Sequence, residues 1–249
     1  MRVVGVIPAR YASTRLPGKP LELIGGHPMV EWVYRRAVAA LGYAIVATDD
    51  ERIVTAVEAF GGRAVLTSQA HRSGTDRVAE ALVHLRQVGV SPELVVNVQG
   101  DEPFLDGDNL RRLVLEFDDE RVRIATLVRP FGQGEDVQNP SWPKVVLDQE
   151  GDALLFSRSA IPYAQNEALL PDCPRYKHIG VYAFRANVLQ EVSRLSPTPL
   201  EQLEGLEQLR WLENGYRMRA VQVEDEGLSV DTPADLARAR ELAEGRWLD

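Results

Sequence analysis

The sequence predicts an α/β protein built on a doubly wound, mostly parallel central sheet, and two observations carry that expectation. Short apolar runs such as VVGVI at residues 3–7, AIVAT at Ala44–Thr48 and LVVNV at residues 94–98 read as buried strands. Longer amphipathic segments separate them, the rhythm of strands joined by crossover helices.

Residues 3–7 form the first strand, stopped by Pro8. Met29–Leu41 places Met29, Val30, Val33, Ala37 and Leu41 on one side, at helical spacing. Ala44–Thr48 is the second strand and ends in Asp49 and Asp50. Residues 51–60 form a helix closed by Gly61 and Gly62. Residues 63–66 are a third strand, 75–85 a helix with Ser73 as its cap, and 94–98 a fourth strand. Further on, 124–128 reads as a strand, and 145–148 with 152–158 as a hairpin around Glu150 and Gly151. Residues 177–185 are another strand, 203–213 a helix, 217–223 a strand, and 233–244 a last helix capped by Asp231 or Thr232. Residues 166–174 are the expected mobile loop, and no internal repeat or low-complexity tract is seen.

The chain has 249 residues, 45% of them hydrophobic, enough for one large domain or a domain with a smaller lobe. A net charge of -9 argues against non-specific nucleic-acid binding, which wants a basic surface. A local cationic cradle for a small anion remains compatible with that charge. One cysteine, Cys173, excludes an intrachain disulfide and points to a reducing cytoplasm. No secretory signal or membrane-length apolar run is present, so no membrane association is expected.

The segment VIPARYASTRLPGKPL sets Arg10, Ser13, Arg15 and Lys19 in one loop directly after the first strand. In doubly wound sheets ligands lie outside the carboxyl ends of the strands. Arginine forks and a lysine point charge suit a polyphosphate. The loop is neither a P-loop nor a G-x-G-x-x-G fingerprint, which speaks against a nicotinamide-type dehydrogenase. A triphosphate needs its charge neutralised, and Mg²⁺ does so with oxygen ligands. Asp101, after a strand and Gly100, and Asp231, before Thr232 and Pro233, are the candidates. Asp231 reads equally well as a helix cap, and Glu102, beside Pro103, as a turn residue.

IPARYASTRLPGKPL, ATDD, HRSGTDR, VQGDEP, KVVLD, FSRSAIP, HIGVYAFR, PLEQLEGLEQLR and VDTPADL occur in that order between residue 2 and about 240. Together they resemble the 3-deoxy-manno-octulosonate (Kdo) cytidylyltransferases. The resemblance implies a Rossmann-like nucleotidyltransferase fold, with a nucleotide-binding core of about residues 1–125 and 217–249 and a sugar-binding and dimerisation lobe of about 126–216. It implies that CTP and Kdo yield CMP-Kdo and pyrophosphate for lipopolysaccharide biosynthesis, with Mg²⁺, in a cytoplasmic homodimer. Arg10, Ser13, Arg15 and Lys19 match the triphosphate loop. Ser73, Gly74, Thr75 and Gln99 match cytosine and ribose contacts, with Arg77 in the same motif. Asp101 and Asp231 match the magnesium aspartates. Arg10, Arg15, Lys19 and Asp101 carry the catalytic roles, and Arg158, His178, Tyr182, Glu207 and Gln208 match the sugar site.

Residue chemistry is compatible with this second cluster: an arginine for a carboxylate, and mixed donors and acceptors for hydroxyls. Taken alone, however, His178 in an apolar strand reads as a core histidine, Tyr182 as a core aromatic, and Glu207 and Gln208 as solvated helix positions. The competing readings are a cytidylyltransferase for another acid sugar, such as a sialic acid or 8-amino-Kdo, and a non-catalytic nucleotide-binding regulator.

Overall fold

The computed structural model describes residues 1–12 and 16–244. In chain order the strands are β1 (Val3–Ala9), β2 (Leu23–Ile24), β3 (His27–Pro28), β4 (Ala44–Thr48), β5 (Ala64–Leu66), β6 (Leu94–Asn97), β7 (Ile124–Pro130), β8 (Lys144–Leu147), β9 (Ala153–Ser157), β10 (Tyr176–Arg185) and β11 (Arg219–Gln222). The helices are α1 (Met29–Leu41), α2 (Glu51–Ala59), α3 (Gly74–Gln87), α4 (Gly107–Leu115), α5 (Ala186–Val192), α6 (Pro199–Glu204), α7 (Gln208–Glu213) and α8 (Pro233–Leu242).

The main sheet runs β11-β7-β10-β6-β1-β4-β5, with the β8–β9 hairpin attached to β10. Along that order every strand except β10 runs the same way, because β10 pairs antiparallel with both β6 and β7. The expected mostly parallel sheet is therefore present, with one reversed strand in its middle. Alternate side chains feed two cores. Val4 and Val6 of β1 face α3, α5 and α7, packing with Leu82, Leu189 and Trp211. Ile7 and Ala9 face the other layer, with Val33 of α1, Ile53 of α2 and Leu110 of α4. A third cluster seats Leu236 and Ala239 of α8 on Trp32 and Ile24. Among the described residues no helix is long and apolar enough to cross a membrane.

One expected element is wrong in its extent. The helix at 203–213 is two helices: Gly205, at φ 61°, ends α6 in the left-handed region, and α7 begins at Gln208. The sequence reading also missed α4, α5 and the β2–β3 hairpin.

Two glycines bring the site loops together. A Cβ on Gly100 would lie 2.8 Å from the Pro8 carbonyl oxygen, so only glycine lets the loop after β6 lie against the end of β1. Gly227, at φ +73°, would place a Cβ 2.9 Å from the Phe104 carbonyl oxygen. There the chain returning from β11 folds over the same loop, and Val230 N donates to Asp101 O at 2.8 Å. Gly100→Ala is expected to destabilise the protein by about 1–3 kcal/mol, since backbone must move to admit the methyl. Thermal denaturation checks this, and an unchanged melting temperature would contradict it.

Candidate active site

The carboxyl ends of β1, β4 and β6, parallel neighbours, lie at one edge of the sheet. Arg10 follows β1 and is exposed, and Gly18 N closes the loop on Tyr11 O at 3.0 Å. Ser13 and Arg15 lie outside the described residues. Lys19 starts a short 3-10 turn, and its ammonium donates to Asp101 Oδ2 at 2.7 Å and to Asp231 Oδ1 at 3.2 Å. Two aspartates 130 positions apart in sequence thus meet on one cation.

The ambiguity at Asp231 is resolved by its neighbour. Thr232 is the N-cap of α8: its hydroxyl accepts from Asp235 N at 3.2 Å, and Asp235 Oδ2 accepts from Thr232 N at 2.8 Å and from Asp231 N at 3.1 Å. With the capping box complete, the Asp231 carboxylate is turned toward Lys19. Two carboxylates converging on one small cation form an all-oxygen donor set that fits Mg²⁺. Glu102 differs from them. Burial, reinforced by Asp101, Glu226 and Asp231, pushes its carboxyl up to about 8, and its Oε2 has no protein partner.

The turn before α3 lies beside the end of β1. Ser73 Oγ accepts from Asp76 N at 3.1 Å as the helix cap. Gly74 lies against the Pro8 ring. Thr75 Oγ1 donates to Glu207 Oε2 at 2.9 Å, joining α3 to the start of α7. Gln99 Nε2 donates to Gly180 O at 2.9 Å. Arg77 is placed differently. It is 1% exposed, and its guanidinium donates to Thr67 Oγ1 at 2.6 Å and to Asp49 Oδ2 at 2.8 Å. Arg77 thus ties α3 to the segment after β5 and to the end of β4, and faces inward.

Four of the five residues of the second cluster come together. The His178 and Tyr182 rings lie 5.5 Å apart, centroid to centroid, and Gln208 Nε2 is 3.5 Å from His178 Nδ1. Glu207 stands one residue earlier, its carboxyl pushed up by burial and its Oε1 unpartnered. Tyr182 packs edge-on to Trp211, and burial, then the Glu207 charge, raises its hydroxyl well above the usual tyrosine value. Arg158 stands apart from this contact set. Its side chain donates to Glu204 O at 2.7 Å, Pro140 O at 2.8 Å and Gly205 O at 3.3 Å, pinning the end of α6.

Residues 4–244 match the cytidylyltransferase family model. A 3-deoxy-manno-octulosonate cytidylyltransferase of Parabacteroides distasonis is 48% identical, covering 96% of this chain and 97% of that protein. One from Phocaeicola vulgatus is 49% identical, with 99% of each chain covered. The chain belongs to the 3-deoxy-manno-octulosonate cytidylyltransferase family. A solved CMP:2-keto-3-deoxy-manno-octonic acid synthetase, complexed with CTP, superposes with a TM-score of 0.90 at 43% identity, over 98% of this chain and 99% of that one. A 4-diphosphocytidyl-2C-methyl-D-erythritol synthase from Anaerococcus prevotii, 13% identical with a TM-score of 0.61, covering 97% of this chain and 98% of that one, shares the fold.

For this family member, burial holds the His178 imidazole neutral, its pKa lowered to about 3. In the unfolded chain histidine titrates near 6.5. The unfolded state therefore binds one more proton between those values, and the stability from this group is complete above about pH 6.5 and lost as pH falls toward 3. The expected loss is about 1 kcal/mol per pH unit. Urea denaturation of native protein and His178→Gln across pH 4–7 checks this; parallel pH dependences would contradict it.

Proposed function

We propose that the protein transfers the cytidylyl group of CTP to Kdo, releasing pyrophosphate and supplying CMP-Kdo for lipopolysaccharide biosynthesis. The observation that carries the reading is the convergence of Lys19, Asp101 and Asp231 beyond the carboxyl ends of β1 and β6. The family relationship supports Kdo over other acid sugars.

The sugar's anomeric hydroxyl oxygen forms a bond to the α-phosphorus, and the bond from that phosphorus to the bridging oxygen breaks. Pyrophosphate leaves with the electron pair, and the hydroxyl proton passes to solvent. Such transfers depend on positioning and charge stabilisation more than on covalent help from the protein. Arg10, Arg15 and Lys19 hold the triphosphate and offset charge growing on the leaving pyrophosphate. Ser73, Gly74, Thr75 and Gln99 frame the nucleoside, and Arg77 holds that frame from beneath. Asp101 and Asp231 would hold Mg²⁺, which supplies charge neutralisation on the phosphates and makes the attacking hydroxyl more acidic. His178, Tyr182, Glu207 and Gln208 orient the sugar, with Arg158 shaping that wall through the end of α6.

The nucleotide-binding core and the sugar-binding lobe are assigned to the residue ranges given above. A cytoplasmic homodimer is part of the proposal. The dimer is supported by exposed apolar side chains on β9 and α6: Leu154, Leu155, Leu200 and Leu203. A monomer mass by sedimentation equilibrium would contradict the dimer. The activity is tested by pyrophosphate release from CTP and Mg²⁺ with Kdo, 8-amino-Kdo and a sialic acid. Kdo is expected to be turned over fastest, and faster release with another sugar would overturn the assignment.

A further inference from the structure

Thr126 sits in the middle of β7, fully buried, and carries no sequence motif. Its hydroxyl oxygen lies 2.8 Å from Val181 O, 3.3 Å from Ile179 O and 2.9 Å from His178 Nε2. A hydroxyl has one proton to donate, and carbonyl oxygens only accept. The proton therefore goes to a carbonyl, Val181 O being the nearer. A lone pair is left facing Nε2, so Nε2 carries the ring hydrogen of the neutral imidazole and Nδ1 is a bare acceptor. The amide nitrogen of Gln208, 3.5 Å from Nδ1, is a donor and agrees with that tautomer.

The same hydroxyl holds an irregularity in β10. Between Ile179 and Tyr182 that strand advances three residues while its partner advances one, from Leu127 to Thr126. Gly180 and Val181 are the excess, and both of their carbonyls are tied: Gly180 O accepts from Gln99 Nε2, and Val181 O accepts from Thr126. His178 and Tyr182, four residues apart, would share a face in a regular strand but lie about 13 Å apart along it; the bulge draws them together, their rings 5.5 Å apart.

We propose that Thr126 is a positioning residue for the acid-sugar site: its hydroxyl pins the β10 bulge and fixes His178 as the Nε2–H tautomer, leaving Nδ1 to accept a hydrogen bond from a sugar hydroxyl. The contact to Gln208 is at the long limit for a hydrogen bond, so a hydroxyl donor can replace or share it. The inference rests on the proposed function, in which His178 and Tyr182 orient the sugar.

Thr126→Val keeps the side-chain shape and removes the hydroxyl. The variant is expected to raise the KM for Kdo about tenfold, the cost of a lost hydrogen bond and a loosened bulge, with the KM for CTP unchanged. Thr126→Ser is expected to restore the native value. In ¹⁵N NMR of histidine-labelled protein, native His178 should show a protonated Nε2 and a bare Nδ1, and Thr126→Val a mixture of tautomers. A native-like KM for Kdo in Thr126→Val, an equal rise in both KM values, or an unchanged His178 signature would overturn the proposal. Failure of native enzyme to release pyrophosphate with Kdo would overturn the proposed function instead, and the NMR arm would still decide whether Thr126 sets the tautomer.

Discussion

Asp101→Asn is expected to lower pyrophosphate release by about two to three orders of magnitude at saturating CTP, Kdo and Mg²⁺, the usual cost of losing a charge-stabilising group at the transition state. The change preserves shape and leaves the Val230 N to Asp101 O bond in place, so the fold should survive. Lys19→Met probes the other side of the contact. Without the ammonium, Asp101 and Asp231 face each other with that cation removed. Magnesium alone is then expected to raise the melting temperature of Lys19→Met more than that of native protein, because the competing cation has gone. Turnover should nevertheless fall about a hundredfold, since the lysine no longer meets the leaving pyrophosphate. Activity of Asp101→Asn within about tenfold of native would remove the metal role from this pair. Equal magnesium-induced shifts in Lys19→Met and native protein would show that the ammonium does not occupy the metal's place.

The second large effect is on stability. Arg77→Met leaves the Asp49 carboxylate, 14% exposed, and the Thr67 hydroxyl without their guanidinium partner. Breaking a buried pair on one side costs about 3–5 kcal/mol. For a chain of this size that corresponds to a drop of roughly 10 °C in melting temperature. Arg77→Lys keeps the charge with one fewer fork contact and should fall between the two. The KM for CTP should rise along with the loss of stability, because the Ser73–Thr75 turn moves with α3. A variant that melts like the native protein yet no longer binds CTP would mean that Arg77 meets the nucleotide directly.

Much of the nucleotide half was legible in the sequence because its signals are local. The periodicity of Met29–Leu41 and the apolar run Ala44–Thr48 gave bounds that match α1 and β4. The proposed polyphosphate loop stood out because Arg10, Arg15 and Lys19 follow a buried strand so closely. Other features depend on distances the sequence does not contain. Whether Asp231 caps α8 or faces Lys19 turned on Thr232 completing a capping box with Asp235. Arg77 lies within HRSGTDR, yet its helical phase points it inward to Asp49, 28 positions earlier. Thr126 resembles any β-branched strand residue, and its partner His178 is 52 positions away. A helix across 203–213 satisfied the apolar spacing, and only the backbone at Gly205 reveals the break.

The reversed direction of β10 has a geometric consequence. A strand laid head-to-tail against its neighbours begins where they finish. Tyr182 pairs with Asn97, the last residue of β6, so residues 176–181 run on past the end of β6 while residues 176–179 stay paired with β7. His178 and Tyr182 on β10 and Gln99 just after β6 are therefore carried by adjacent strands of one hydrogen-bonded sheet. Neighbouring strands of that sheet stand about 5 Å apart, so on the proposed function the spacing between nucleotide and sugar follows from the sheet itself.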